Sequence, residues 1–173
     1  MKKIAIIGSS GAGKSHLARA IGEILNLEVI HLDKEFWQPG WNEMPKDEWG
    51  SRVEWLVARD AWIIDGNFGG TMEIRIAAAD MIIFLDLPRS LCVWRTLKRV
   101  ATYRQGTRPD MAEGCHEKLD LKFLKWIWDF PSQTRPRILE RLNRAEKEKT
   151  IVRLRNQIEV SKFLEDLKVG RSI

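Results

Sequence analysis

The chain has 173 residues, a formal net charge of +5, 44% hydrophobic and 31% charged side chains, which suits one globular domain with a sizeable core rather than a disordered chain. No apolar run approaches the ~20 residues of a membrane span. Cys92 and Cys115 are too few for a disulfide framework and lack metal-site spacing, so a reducing cytoplasm is the expected compartment.

Residues 2–8, KKIAIIG, open basic and then apolar, as a secretory leader does, but the apolar run stops after four residues at Gly8. A strand buried on both faces is expected instead. Lys14 to Leu25 carries Leu17, Ala20, Ile21, Ile24 and Leu25 at helical spacing. LEVIHLD (27–33) reads as a second strand ending in Asp33. Residues 34–60 are Trp-rich, are broken by Pro39, Gly40 and Pro45, and then read as a helix over 46–59. AWIIDG (61–66) is a third strand with Asp65 at its end, followed by a short helix over 72–79. MIIFLDLP (81–88) is a fourth strand and 91–103 a helix. Residues 104–118 are polar and broken by Gly106, Pro109 and Gly114, the pattern of a loop. Helices are expected over 119–130 and 135–148, a fifth strand over 150–155, and a closing helix over 158–168.

Alternating strands and helices predict an α/β fold with a parallel sheet, whose ligands sit at the carboxyl ends of the strands. That rule brings the loop after Gly8, Asp33, Asp65 and the segment after Asp86 to one rim. Asp86 precedes Leu-Pro and reads as structural.

Gly8-Ser9-Ser10-Gly11-Ala12-Gly13-Lys14-Ser15 matches G-x-x-x-x-G-K-[ST] in full, after an apolar strand and at the start of a helix. Its glycines permit a backbone that wraps an anion, and the helix start adds its positive end. The segment Gly8 to His16 is therefore expected to hold a nucleoside triphosphate, with Lys14 on the β and γ phosphates and Ser15 on Mg²⁺. Asp65 is the expected second metal partner. Asp33 is expected as general base or ligand to a metal-bound water.

The reaction class follows from what accompanies the loop. A guanine-reading [NT]-K-x-D segment is absent, which weakens a GTPase reading. WIID is followed by Gly66 rather than by a water-activating glutamate, which weakens a motor ATPase reading. A small-molecule kinase needs neither. It needs positive charge at the transferred phosphate and a flap that excludes water. Arg95 and Arg99 lie four apart on one helical face, and Arg104 and Arg108 follow in the broken loop. Residues 100–118 thus read as a lid.

The loop, IIDG, FLDLP and the arginine-bearing helix resemble the adenylate-kinase-like branch of phosphate-loop proteins. More closely, HLDKEFWQPGW, WIIDGNFGGTMEIR, FLDLPRSLCVWR, YRQGTRPDMAEGC and DLKFLKWIWDFP resemble the small bacterial DNA topology modulation (FlaR-related) proteins, almost end to end. The resemblance implies a three-layer phosphate-loop NTPase fold, with a five-stranded parallel sheet, helices on both faces and a small lid. It also implies ATP and Mg²⁺ as cofactors, Lys14, Asp33, Arg95 and Arg99 as catalytic groups, and residues 34–60 as the acceptor segment.

The kinase pattern departs at Asp65-Gly66-Asn67-Phe68-Gly69, where an acceptor-phosphate arginine is missing and Arg75 is the nearest replacement. The acceptor is an unidentified small molecule, with Asp33, Trp37, Trp41, Arg75, Arg104 and Arg108 as candidate contacts. DNA is a second candidate partner. The 89–144 segment carries 13 basic and 6 acidic side chains against 9 and 13 in residues 1–88, yet no DNA-reading motif accompanies it. Trp55 and Trp62 read as packing residues, Trp126 and Trp128 as divided between core and surface, and His16 and His31 as plain helix and strand residues.

Overall fold

Five apolar runs pair side by side, and their alternation supplies two cores. The computed structural model describes residues 2–103, 106 and 108–170. Strands β1 (Lys3–Gly8), β2 (Val29–His31), β5 (Trp62–Asp65), β6 (Met81–Leu85) and β7 (Thr150–Leu154) form a parallel sheet in the order β2-β5-β1-β6-β7. A two-residue hairpin, β3 (Trp37–Gln38) with β4 (Asn42–Glu43), stands apart from it.

Side chains of a strand alternate between faces. Ala5, Ile7, Trp62, Ile64, Ile82 and Phe84 therefore join one core, shared with α3 (Lys46–Val57), α4 (Met72–Ala78) and α7 (Arg135–Ala145). Ile4, Ile6, Ile63, Met81, Ile83 and Leu85 join the other, shared with α1 (Lys14–Leu25), α5 (Arg89–Thr102) and α8 (Gln157–Lys168). Helix α6 (Leu121–Gln133) reaches both through Phe130 and Ile127. The basic-then-apolar opening is thus the middle strand of the sheet. Among the described residues, no helix is long and apolar enough to cross a membrane.

Asp86 follows β6 and is structural, as expected. Its carboxylate accepts from Arg135 Nε at 2.8 Å and from Arg153 Nε at 2.8 Å, joining α7 to β7. The 27–33 strand is shorter than expected. β2 pairs only with β5, so its ladder ends at His31, and Leu32–Phe36 turns into a helix, α2, that carries Asp33. Leu32 is buried beneath Gly66, leaving no room for a Cβ there. The hairpin was not expected from sequence. Its turn depends on positive φ at Gly40 (81°) and at Trp41 (65°), the second unusual for a residue with a side chain.

Asp80, before β6, accepts hydrogen bonds from the Lys2 and Lys3 amides at 2.7 and 3.0 Å, anchoring the start of β1. These two amides hold its carboxyl below the ordinary value of 3.8. A depressed folded-state value stabilises the fold above the unfolded pKa, and that stability is lost as pH falls through the folded one. Asp80→Asn is expected to lower stability at pH 7 by up to about 1 kcal/mol, the site being solvent-screened. The gap in urea midpoint between the two proteins closes as the pH falls below the ordinary carboxylate range. A gap that does not change with pH would contradict this assignment.

Candidate functional site

The segment between β1 and α1 is a cradle. Gly8, Gly11 and Gly13 have φ of 149°, 76° and 96°. A Cβ on Gly11 would lie 2.2 Å from the Cys92 carbonyl of α5, and one on Gly8 would lie 2.6 Å from the Leu85 carbonyl. The loop backbone therefore lies flush against β6 and α5, and only glycine fits. No side chain caps α1, so its first amides stay open to a ligand. The Ser9 hydroxyl is buried with no hydrogen-bond partner among the described residues, and Lys14 Nζ donates to the Ser9 carbonyl at 3.0 Å. Burial pushes the Lys14 ammonium below its ordinary value, against the pull of Asp33 and Asp65. Open amides, a desolvated ammonium and an unpaired hydroxyl together fit a polyphosphate.

Asp33 and Asp65 lie near enough to act on Lys14, and Asp110 engages the Ser15 hydroxyl. Asp65 ends β5 and faces His31 across the parallel register, with Oδ1 2.6 Å from His31 Nδ1. Burial raises the Asp33 carboxyl above its ordinary value despite Lys14, and Asp65 adds to the rise. Asp110 behaves differently. Burial pushes it up, but the Arg108 guanidinium and the Ser15 hydroxyl outweigh that and hold it low. Asp110 thus joins the 108–118 segment to the loop serine. Among the described residues no three His, Cys, Asp or Glu side chains are grouped to hold a metal by themselves, so a Mg²⁺ here would take Ser15 and a carboxylate together with phosphate and water oxygens.

The arginines separate by role. Arg95 donates to the Ala12 carbonyl at 3.3 Å and to Gln157 Oε1 at 2.9 Å, while Arg99 reaches Ser10 Oγ at 3.5 Å. One face of α5 thus lies over the loop, as the four-residue spacing predicts. The buried Glu117 carboxylate sits between Arg99 Nε at 3.0 Å and Arg108 Nε at 2.6 Å. Arg104 lies outside the described residues. Arg75 is not where the sequence reading expected it. It is fully buried, donates to the carbonyls of Gly66 (2.8 Å) and Phe68 (2.9 Å), and does not line the cavity. Burial pushes its guanidinium down to about 10. It braces the loop after β5 because that loop's carbonyls have no sheet partner.

A cavity of about 530 Å³ opens beside the loop, with Ser10, Lys14, Asp33 and Arg99 among its lining residues. Trp37 and Trp41 wall one side, and Phe123 and Trp126 of α6 also line it. The 108–118 segment closes over the hairpin. Gly40 N donates to Gly114 O at 3.3 Å, Trp41 Nε1 to His116 O at 3.0 Å, and Cys115 Sγ to Gln38 O at 3.2 Å. Met111, Ala112 and Cys115 pack against Trp37 and Trp41. Ser15, Asp65, His16 and Arg95 do not line this cavity, and His16 is exposed on α1.

Trp62 is buried packing, as expected, but Trp55 is 53% exposed beneath the guanidinium groups of Arg52 and Arg59. Neither Trp126 nor Trp128 is in the core. Both lie off the buried stripe of α6, which Ile127 and Phe130 fill. Sequence reasoning missed His31, Asp110 and Glu117. The acidic residues interleaved with arginine in RPDMAEGCHE were the available signal for the last two.

No protein-family model matches the chain, and no curated protein matches it. Solved structures do. A shikimate kinase from Acinetobacter baumannii in complex with shikimate is 17% identical with a TM-score of 0.57, over 98% of this chain and 94% of that one. A gluconokinase from Sinorhizobium meliloti 1021 is 16% identical with a TM-score of 0.55, over 98% and 90%. A sugar kinase from Janibacter sp. HTCC2649 is 16% identical with a TM-score of 0.54, over 98% and 91%. At these identities the likeness is one of fold, so the chain has the α/β fold of phosphate-loop kinases, a five-stranded parallel sheet covered by helices.

Proposed function

We propose that this chain is an ATP- and Mg²⁺-dependent phosphotransferase that phosphorylates a hydroxyl of a small molecule. The observation that carries it is one cavity shared by Ser10 and Lys14 of the phosphate loop, the carboxylate of Asp33 and an aromatic wall. Donor and acceptor would meet there. The fold likeness to a gluconokinase, a shikimate kinase and a sugar kinase supports the same class.

In this reading the amides of Gly8, Ser9, Ser10, Gly11, Ala12, Gly13, Lys14, Ser15 and His16 wrap the triphosphate, and the Lys14 ammonium neutralises it. Ser15 and Asp65 hold Mg²⁺, with His31 fixing the Asp65 carboxylate. The metal supplies charge neutralisation at the phosphates. Asp33 takes the acceptor proton, and its raised pKa makes it a better base for that proton than an ordinary carboxylate. Arg99 holds the transferred group and Arg95 braces the loop at Ala12. Residues 34–60 form the acceptor segment and 100–118 the lid, with Arg104 and Arg108 on it. Asp65 is followed by Gly66, not a glutamate to activate water. Closure of the lid over the hairpin excludes bulk water, which favours transfer over hydrolysis.

The resemblance to DNA topology modulation proteins keeps a nucleotide-dependent regulator as the other reading. Its basis is the basic 89–144 segment. Within that segment, Arg99, Arg108, Arg135 and Arg141 form ion pairs inside the chain. A gel-shift salt series tests it. Binding through several phosphates would weaken steeply with salt, and no retardation at low salt would eliminate it.

Three variants check the transfer reading. Lys14→Ala is expected to abolish the heat of Mg·ATP binding in calorimetry. Gly11→Ala should weaken Mg·ATP binding about tenfold or more with far-UV dichroism unchanged, because the new methyl cannot fit against Cys92 without moving the loop. Asp33→Asn should retain Mg·ATP binding while acceptor-dependent ADP release falls roughly 10²- to 10⁴-fold. Unchanged Mg·ATP affinity in Lys14→Ala would refute the assignment of the phosphate site.

A further inference from the structure

The cavity is as informative about the acceptor as the loop is about the donor, and the class of acceptor it selects rests on the phosphotransfer reading. Its aromatic surface comes from three separate elements. The hairpin gives Trp37 and Trp41, edge to face at 5.3 Å. Phe68 comes from the segment after β5. Helix α6 gives Phe123 and Trp126, nearly parallel at 6° and 5.8 Å apart. Phe123 and Trp126 remain 38% and 36% exposed. Neither ring lies on the buried stripe of α6, although Trp126 meets the core ring of Phe130 edge to face at 5.7 Å. Large apolar rings left partly open in a cavity are recognition surface.

The charges of the same cavity nearly cancel. Lys14, Arg99, Arg108 and Lys118 face Asp33, Glu43, Glu117 and Asp120 among the described lining residues. The two arginines converge on Glu117, Lys14 is drawn to the loop carbonyl, and Lys118 lies 6.0 Å from the Trp41 ring. Arg75, the cation nearest the post-β5 segment in sequence, is engaged with backbone carbonyls. Four cations against four carboxylates leave the described lining without a net charge that would favour a second phosphate or a carboxylate. Asn67 also lines the cavity, and its Oδ1 is buried with no hydrogen-bond partner among the described residues.

We infer that the acceptor is an uncharged, flat-ringed alcohol of the nucleoside kind, its ring held between the hairpin tryptophans and the Phe123/Trp126 pair and its hydroxyl directed to Asp33. In the transfer, the hydroxyl oxygen forms the new bond to the γ-phosphorus of Mg·ATP. The bond from that phosphorus to the β–γ bridging oxygen breaks, its electron pair leaving with ADP. The hydroxyl proton passes to Asp33.

Calorimetry on the full chain tests this without relying on turnover. The probes are adenosine, guanosine, cytidine and thymidine, set against AMP, shikimate and gluconate, with Mg·ATP titrated separately. At least one nucleoside is expected to bind at or below millimolar concentration and more tightly than any of the three anions. Phe123→Leu and Trp126→Leu should each weaken it roughly 5- to 100-fold, the range for loss of one stacking ring. Phe123→Tyr, which keeps the ring, should restore affinity to within about twofold. The acceptor class is overturned if no nucleoside gives heat while Mg·ATP does, if an anion binds more tightly, or if the leucine variants bind nucleoside unchanged. Absence of Mg·ATP heat in the parent chain would instead overturn the phosphotransfer reading beneath it.

Discussion

The contact between the phosphate-loop backbone and helix α5 governs everything built at the rim. Gly11 lies so close to the Cys92 carbonyl that any Cβ would overlap it. This close approach fixes the loop against the helix that carries Arg95 and Arg99. Those residues then reach the loop by helical geometry alone, one to the Ala12 carbonyl and the other to Ser10. A loop set one methyl further out would lose both its shape and its arginines. The parallel pairing of β1 with β5 and β6 supplies the other half of the constraint, because it sets Leu85 beside Gly8 and Asp65 beside Ile6, two residues before the loop begins.

The second organising feature is the handling of charge away from water. Arg99 and Arg108 approach each other, and burial together with their mutual repulsion depresses the Arg99 guanidinium. Glu117 between them offsets that repulsion by ion pairing with both guanidinium groups. The same carboxylate ties the 108–118 segment to α5. Asp110 repeats the arrangement one step away, engaging Arg108 and the Ser15 hydroxyl. The 108–118 segment is therefore held by ion pairs at the loop and by an apolar contact at the hairpin, where Met111, Ala112 and Cys115 meet Trp37 and Trp41.

These two attachments bear on function together. The ion pairs join the lid to the groups assigned to the phosphates. The apolar contact joins it to the wall assigned to the acceptor. The left-handed backbone at Trp41 sits on the apolar side, its indole donating to the 108–118 segment at His116. Strained conformations of this kind persist where surrounding contacts over-determine them.

By itself the sequence determined the alternation of buried strands with amphipathic helices, the phosphate loop with Lys14 and Ser15, the rim position of Asp65 and the shared face of Arg95 and Arg99. Each is a local pattern, with a period of two or 3.6 residues or a fixed spacing. The tertiary structure alone decided what depends on contacts between distant segments. His31 meets Asp65 only because β2 and β5 pair in one register. Asp33 lies on a helical turn because an edge strand runs out of partners, and Arg75 turns inward because the loop carbonyls after β5 need donors. Trp126 left the core for the cavity, and Glu117 came between two arginines, because helix packing and lid closure, which no local spacing records, chose their neighbours.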